Sequence, residues 1–474
     1  MKTAAAIAVA LGVALGLAGC VTPQREELHD TALEAQSLGL TGESITPAAS
    51  QWWKSFGDPQ LDRLVDDALR NSPSLSQALA RVRVAQAQTQ AAGAGNDPSF
   101  TLDGDESWQR FSANYYIPPP YGGSKYWIGQ VNASLNWNLD FWGRQAALIE
   151  QSNSQLSASV LDVASARLAL AGSMAQAYVD LYRAWELIDI ATRQLQQREH
   201  LLKLTQQRVT AGLDTQIELK IAESALPQAR NALLQAQSAR DLAVHRLAAL
   251  AGQGADSYAQ IGRPQLSLDA ALPLPDQLPM DLLAHRPDVL AARARVDAAT
   301  AGREAAHAAF YPDISLKAFV GMQAIGLDKL ADGESLVYGV GPALHLPIFD
   351  AKRLRAGYKT ATAELDASVA SYNATVLGAV RETADQISLN DSLTRQLDQV
   401  QQMLQAATAA YDLAQKRYAA GLTTQLVVLD AEARVLDAQR GLVAANANRV
   451  TSRVTLLLLL GGSFDPAAPA SGAI

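Results

Sequence analysis

Apolar residues in this chain recur at helical spacing, give way to strict alternation and return to helical spacing, and the cycle runs twice. From Pro59 to about Gly93, Leu61, Leu64, Val65, Ala68 and Leu69, then Leu75, Leu79, Val82 and Ala85 after Pro73, trace one helix face. Between Tyr126 and Asp140 the period changes to two. The odd positions Trp127, Gly129, Val131, Ala133, Leu135, Trp137 and Leu139 are apolar, and the even positions Gln130, Asn132, Ser134, Asn136, Asn138 and Asp140 are polar. Partner runs at 100–111, 313–322 and 336–349 predict one β-hairpin per half, with tips rich in turn formers at 115–123 and 326–334. Next comes Gly143 to about Val209, free of proline, whose roughly 67 residues reach about 100 Å as a helix; Ala351 to about Ala419 is its copy. The return helices predicted for Thr215 to Ala251 and Thr424 to Leu460 span only about 55 Å each. The early helices, 59–93 and 279–310, have the length to fill the remaining gap end to end, which predicts a cylinder of nearly parallel helices. Pro227 is expected to bend one return helix.

The duplication is explicit in the residues. Pro73 and Pro287 open similar helices 214 positions apart, and Pro98 and Pro312 repeat at the same offset before a strand. Arg208-Val-Thr-Ala-Gly-Leu-Asp-Thr-Gln-Ile217 returns as Arg417-Tyr-Ala-Ala-Gly-Leu-Thr-Thr-Gln-Leu426 at an offset of 209. Long units repeated twice suit a quasi-symmetric wall or tube better than an enzyme cleft. The expected boundaries are a leader at 1–19, a tether at 20–50, repeats at 51–262 and 263–462, and a tail at 463–474.

The strands have the length and the terminal tryptophans of outer-membrane β-strands, although a half-buried soluble sheet gives the same alternation. Four strands cannot close a barrel, because small closed barrels need about eight. Other copies must complete the sheet: two copies supply eight strands and three supply twelve, and only the larger barrel leaves an open interior. The expected fold class is therefore α plus membrane β. An internally duplicated, long α-helical barrel carries four strands per chain into a trimeric twelve-stranded β-barrel.

Composition narrows the function by exclusion. A net charge of −8 and pI near 5.4 leave no footprint for nucleic acid. The six histidines show no HExxH or other paired-ligand spacing, and neither GxSxG nor a phosphate loop occurs, so neither a metal site nor a catalytic role is expected. Leu456 to Leu460 is too short an apolar run to span a bilayer. The single cysteine, Cys20, follows Met-Lys, an apolar run and Leu17-Ala18-Gly19, the pattern of a secretory signal. Leu-Ala-Gly-Cys resembles a bacterial lipobox, which implies cleavage before Cys20 and lipid on its thiol and new amino terminus; Val21 follows where an Asp would suggest inner-membrane retention. That covalent lipid is the only attached group expected, and no other cofactor is.

Several spaced motifs carry a resemblance to a known family. Trp52-Trp-Lys-Ser-Phe-Gly-Asp-Pro-Gln-Leu-Asp-Arg-Leu64, Ala68-Leu-Arg-Asn71, Arg286-Pro-Asp288, Phe310-Tyr-Pro312, Pro347-Ile-Phe-Asp350 and Leu426-Val-Val-Leu-Asp-Ala431 together resemble the outer-membrane efflux proteins related to TolC. The lipobox is similar to that of the lipoprotein branch, of the OprM and NodT type. The resemblance implies a homotrimer, with a twelve-stranded barrel in the outer membrane above a periplasmic helical barrel. It also implies a periplasmic adaptor and an inner-membrane pump, most often of the resistance-nodulation-division type. The expected function is a passive exit duct for drugs or other small toxic molecules. A duct for type I protein secretion and a non-conducting lipid-anchored coiled-coil scaffold remain as alternatives.

A duct needs a wet bore, a seal and a docking surface. The polar strand face and stretches such as Gln151-Ser-Asn-Ser-Gln155 suit the bore, and the seal is expected near the two turns at 211–214 and 420–423. By motif position the resemblance implies a gate ring of Leu426 and Asp430. Three facing copies of Asp430 would repel and attract cations, whereas the plain reading is an ion pair with Arg434 one turn on. Some relatives carry a second aspartate where this chain has Val427, and Ile221 stands opposite Asp430 in the repeat. At the turns, Gly212 and Leu213, and Gly421 and Leu422, resemble the family's tip motif for contacting the adaptor, whereas the plain reading is that Gly212 and Gly421 merely permit the chain reversal.

Overall fold

The computed structural model describes residues 26–44, 48–114, 116–269, 272, 274–275, 277–347 and 349–465. Cys20, the leader before it and 466–474 lie outside the described residues. In chain order the principal elements are α1 (Pro59–Asn71), α2 (Pro73–Ala94), β1 (Ser99–Arg110), β2 (Lys125–Leu139), α3 (Arg144–Thr210), α4 (Gln216–Leu250), α5 (Pro287–Ala308), β3 (Asp313–Ile325), β4 (Leu336–His345), α6 (Ala351–Ala419) and α7 (Gln425–Leu459). The two long helices hold 67 and 69 residues and the two return helices 35 each.

The early helical segments are less continuous than their periodicity predicts. The first breaks at Ser72, and the second is a single turn at Leu282–His285 followed by α5. In both copies a proline begins the new helix. Its ring fixes φ and removes an N–H that the first turn does not need, so the residue before it leaves the helix: Ser72 and Arg286 are both extended. Strand β4 ends at His345, short of the expected 349, because its register with β3 runs out at the Asp313–His345 pair. Pro227 lies inside α4 without ending it.

Chain packing forms two compact units. The first contains the described residues up to Ala32, Val82–Ser159 and Ala292–Tyr372, and the second contains Leu33–Arg81, Val160–Ala291 and the described residues from Asn373. Each unit therefore draws on both sequence repeats.

In the first unit the strands form one antiparallel sheet in the order β1-β2-β3-β4. Pairing places residues of one parity on a common face. One face carries Phe100, Leu102 and Trp108 of β1, the odd positions of β2, Ile314, Leu316, Ala318, Val320 and Met322 of β3, and Leu336, Tyr338, Val340 and Leu344 of β4. Glu106 is its one charged member inside the Trp108–Trp127 pair. The other face carries Asp103, Asp105, Gln130, Asn132, Ser134, Asn136, Lys317 and Gln323. Of all the strand residues only Gly129 is buried, and Phe100, Tyr338 and Val340 are more than 70% exposed. Where the strands meet the helices, the Trp142 indole donates to the Pro312 carbonyl at 2.8 Å and stacks on Tyr311 at 5.0 Å. Asp140 accepts from the Ala146 amide at 2.8 Å, at the start of α3. Phe310, Leu354 and Tyr358 form the local core.

The second unit is helical and better buried. Trp52, Trp53 and Phe56 precede α1, whose cap Asp58 accepts from the Gln60 amide at 2.9 Å. The second oxygen of Asp58 accepts from the Tyr178 hydroxyl at 2.7 Å and the Gln265 amide at 2.6 Å, tying α1, α3 and the segment after α4 together. Burial, reinforced by the Asp58 contact, raises the Tyr178 pKa, so the phenol stays a neutral donor. By length and composition α3 is apolar enough to cross a membrane, yet its Met174, Tyr178 and Leu181 are fully buried. Both return helices end in a left-handed glycine, Gly252 and Gly461, pressed against the backbone of Asn71 and His285 respectively, with no room for a Cβ. The end-to-end contact expected from helix lengths is made at these two glycines.

Toward the other end of α3, Arg198 pairs with Glu432 of α7 at 3.1 Å, with 11% and 4% of the side chains exposed. Burial raises the Glu432 pKa, against the opposing pull of Arg198, and its second carboxylate oxygen has no hydrogen-bond partner. Replacing Arg198 alone (Arg198→Met) leaves a buried charge uncompensated and is expected to cost about 3–5 kcal/mol, whereas Arg198→Met with Glu432→Leu is near neutral. Melting curves of the detergent-solubilised protein test this, and equal losses in the single and double variants refute it. With the folded pKa above the unfolded ~4.3, the native state holds the extra proton. The melting temperature of the wild type is thus expected to rise relative to Glu432→Gln as pH is lowered from neutral toward the unfolded value of ~4.3.

Candidate functional site

Of the residues singled out from sequence, Cys20 lies outside the described residues, Gln151–Gln155 belong to the first unit, and those of the gate and the two turns meet at one end of the second unit, where each long helix reverses into its return helix. Both reversals have the same construction. Gly212 and Gly421 adopt φ of 73°, and the amide of the next residue bonds back to an arginine carbonyl at 2.8 Å: Leu213 to Arg208, and Leu422 to Arg417. This six-residue closure satisfies helix-end carbonyls and leaves the leucine side chain without a packing partner in its own turn. Leu213 is 66% exposed and Leu422 is 68% exposed, so the repeat presents the same apolar tip twice.

Beyond the turns the copies diverge. In the first, Thr215 caps α4, and Glu218 reaches back to the Thr215 amide at 2.9 Å to complete a capping box. In the second, Val427 stands where the box would need an acid, and Thr424 makes no side-chain cap bond. Asp214 of the first turn is bound by Arg208 at 2.8 and 3.2 Å and accepts from the Tyr418 hydroxyl of α6 at 3.0 Å. Arg208 also lies 4.7 Å from the centre of the Tyr418 ring. The Arg208 hydrogen bond holds the Asp214 pKa below the ordinary carboxylate range, against a smaller opposing effect of burial. Position 423, equivalent to Asp214, is Thr, so this lock ties the first turn to the second helical hairpin and has no copy.

The local helix geometry sets the face of α7 that carries Leu426 and Asp430. Gln425, Val428, Ala431 and Glu432 point inward: Gln425 donates to Thr205 at 3.0 Å, and Val428 and Ala431 pack with Tyr418, Ala414, Leu201 and Leu204. Leu426 and Asp430, one turn apart, consequently share the opposite, open face and are 67% and 65% exposed. Asp430 pairs with Arg434 at 3.1 Å, as the plain helix reading predicts; with the arginine 71% exposed, this pair is worth at most about 0.5 kcal/mol and does not hold Asp430 in place. Arg208 and Asp214 flank the turn and could be found from local spacing. Their partner Tyr418, and the Thr205–Gln425 and Arg198–Glu432 contacts, join residues more than 200 positions apart and left no signal in the chain. Among the described residues no cluster could hold a metal ion.

A family model described as outer membrane efflux protein matches residues 64–253 and 278–462. The pyoverdine export outer membrane protein OpmQ of Pseudomonas aeruginosa is 32% identical over 431 residues, covering 90% of each chain. The fusaric acid resistance protein FusA of Burkholderia cepacia is 36% identical over 372 residues, 76% of this chain and 70% of that one. The crystal structure of the outer membrane protein VceC of Vibrio cholerae superposes with a TM-score of 0.83 at 34% identity, covering 88% of this chain and all of that one. With both halves matched and the fold shared along nearly its whole length, the chain belongs to the outer membrane efflux protein family, a family of outer-membrane channels and not of enzymes.

Proposed function

We propose that three copies of this chain form one continuous exit duct, docked to a periplasmic adaptor and an inner-membrane pump, through which small toxic molecules leave the cell. The carrying observation is the sheet: four strands with one apolar and one polar face, neither buried, and unpaired edges at β1 and β4. Three such sheets joined β1 to β4 give twelve strands, with lipid against the apolar face and water against the polar one. Dimensions support this reading. From Trp127 to Trp137 the strand advances about 34 Å, and a tilt of about 40° reduces this to about 25 Å, the height of an outer-membrane apolar band between its aromatic girdles. Lipid on Cys20 would add a second anchor in the same membrane.

In this assembly the duct is passive. The helical barrel carries cargo across the periplasm, and Leu426 and Asp430 close its inner end as an apolar and an acidic ring. The open face shared by these two residues, and the weakness of the Asp430–Arg434 pair, support that assignment. Leu213 and Leu422, held outward by Gly212 and Gly421, make the adaptor contacts. A pump of the resistance-nodulation-division type is the partner class the family resemblance favours. FusA and OpmQ are named for fusaric acid resistance and pyoverdine export, which favours small-molecule cargo over a secreted polypeptide.

Each role has its own outcome. Asp430→Ala is expected to lower cation selectivity in planar bilayers, and Leu426→Ala to raise single-channel conductance, both with the trimer intact on native gels. Wild-type currents from both variants refute the gate. Leu213→Asp or Leu422→Asp is expected to abolish drug export while leaving trimer and conductance unchanged, and normal resistance in such cells rules out the docking role. Because the Asp214 pKa is depressed, its contribution to stability is complete above the unfolded value of ~3.9 and is lost only as pH falls below that. Hydrogen exchange at the 208–216 turn, corrected for intrinsic rate, is therefore expected to be the same at pH 7 and pH 5; faster opening at pH 5 refutes the ionised lock.

A further inference from the structure

At the end of the sheet remote from the helices, the apolar face finishes in an arrangement that the duct does not use. Trp108 and Trp127 are cross-strand partners with ring centres 5.4 Å apart, and the next pair on the same face is Arg110 and Lys125. Like charges directly opposite each other on an antiparallel pair repel and weaken it. Both side chains are exposed, and neither makes an ion pair or hydrogen bond with any described residue. The nearest acid along that face, Glu106, is four residues down the strand from Arg110, about 14 Å away. Asp328, Asp332 and Glu334 of the neighbouring hairpin tip pair with neither cation. No anion among the described residues offsets the repulsion, which leaves the pair open to an anion from outside.

We propose that Arg110 and Lys125 bind a phosphate group of the phosphorylated glycolipid in the outer leaflet of the membrane, with the acyl chains lying against Trp108 and Trp127. This rests on the barrel reading above, which puts the apolar face in lipid and the helices in the periplasm. One pair beyond the tryptophans is then the level where the outer leaflet carries its phosphates. Arginine offers a planar fork that engages two phosphate oxygens, and lysine adds a point charge from the facing strand. The exposed indoles, 54% and 44% accessible, supply the amphipathic surface found at such a boundary.

The test uses the full-length protein purified in mild detergent and followed by native mass spectrometry. It is incubated separately with bisphosphorylated lipid A, with dephosphorylated lipid A, and with bisphosphorylated lipid A in the presence of excess inorganic phosphate. The wild type is expected to retain the bisphosphorylated lipid and not the dephosphorylated one, and inorganic phosphate is expected not to displace it. Arg110→Gln with Lys125→Gln is expected to lose that retention at least tenfold, with unchanged trimer mass and conductance, and Arg110→Lys to keep part of it. Equal retention by wild type and double variant, equal retention of the two lipids, or displacement by free phosphate overturns the proposal. A conducting trimer without lipid retention sinks this site alone, whereas the absence of any conducting trimer sinks the barrel reading with it.

Discussion

The governing constraint is that nothing among the described residues covers the sheet. Backbone groups on the free edges of β1 and β4, and an apolar face several strands wide, cannot both be left to water without inviting association. A soluble protein would lay a helix over that face. Among the described residues none buries this face, and in the proposed assembly the edges close on other copies while the apolar face meets lipid. In the proposed assembly the trimer and its polar bore answer that one deficiency, and the outer membrane efflux family provides the membrane setting in which it is met.

Duplication provides the scaffold, and departures from duplication distinguish the two helical hairpins. Gly212 and Gly421 build the same turn and expose the same leucine. Past the turn, Asp214, Glu218 and Ile221 of the first copy become Thr423, Val427 and Asp430 in the second. The first copy spends its acids locally, on an arginine lock and a capping box. The second leaves α7 with a less tied first turn and an acid on its open face. A tube with two identical hairpins per chain would have a uniform end. In the proposed duct these few substitutions let one hairpin serve as frame and the other carry the constriction, with the Thr205–Gln425 and Arg198–Glu432 contacts fixing which side of α7 is buried.

Much of the fold could be read along the chain because its signals are periodic and local. The alternation from Tyr126 to Asp140 located β2 within a residue, and the absence of proline between Gly143 and Val209 located α3 equally well. In the early helices, helical periodicity continues through Ser72 and Arg286 while the backbone there is extended, so periodicity alone overstates their length. Of the candidate site, Gly212, Leu213, Gly421 and Leu422 stood out as a repeated turn motif. Leu426 and Asp430 were recognisable only through family resemblance, because one aspartate four residues before an arginine is otherwise an ordinary helix surface.

What the chain's order alone determined were the elements, their lengths, the twofold plan and the strand count that one polypeptide cannot close. These depend on neighbours within a few residues or on a repeated pattern. Tertiary structure decided which polar groups meet: Asp58 with Tyr178, Tyr418 with Asp214, and Arg198 with Glu432. Such pairs join positions more than 100 residues apart, where the partner is selected by packing geometry and burial and not by spacing. It also decided that Asp430 points outward, because the apolar residues on the far side of α7 were the ones taken into the core.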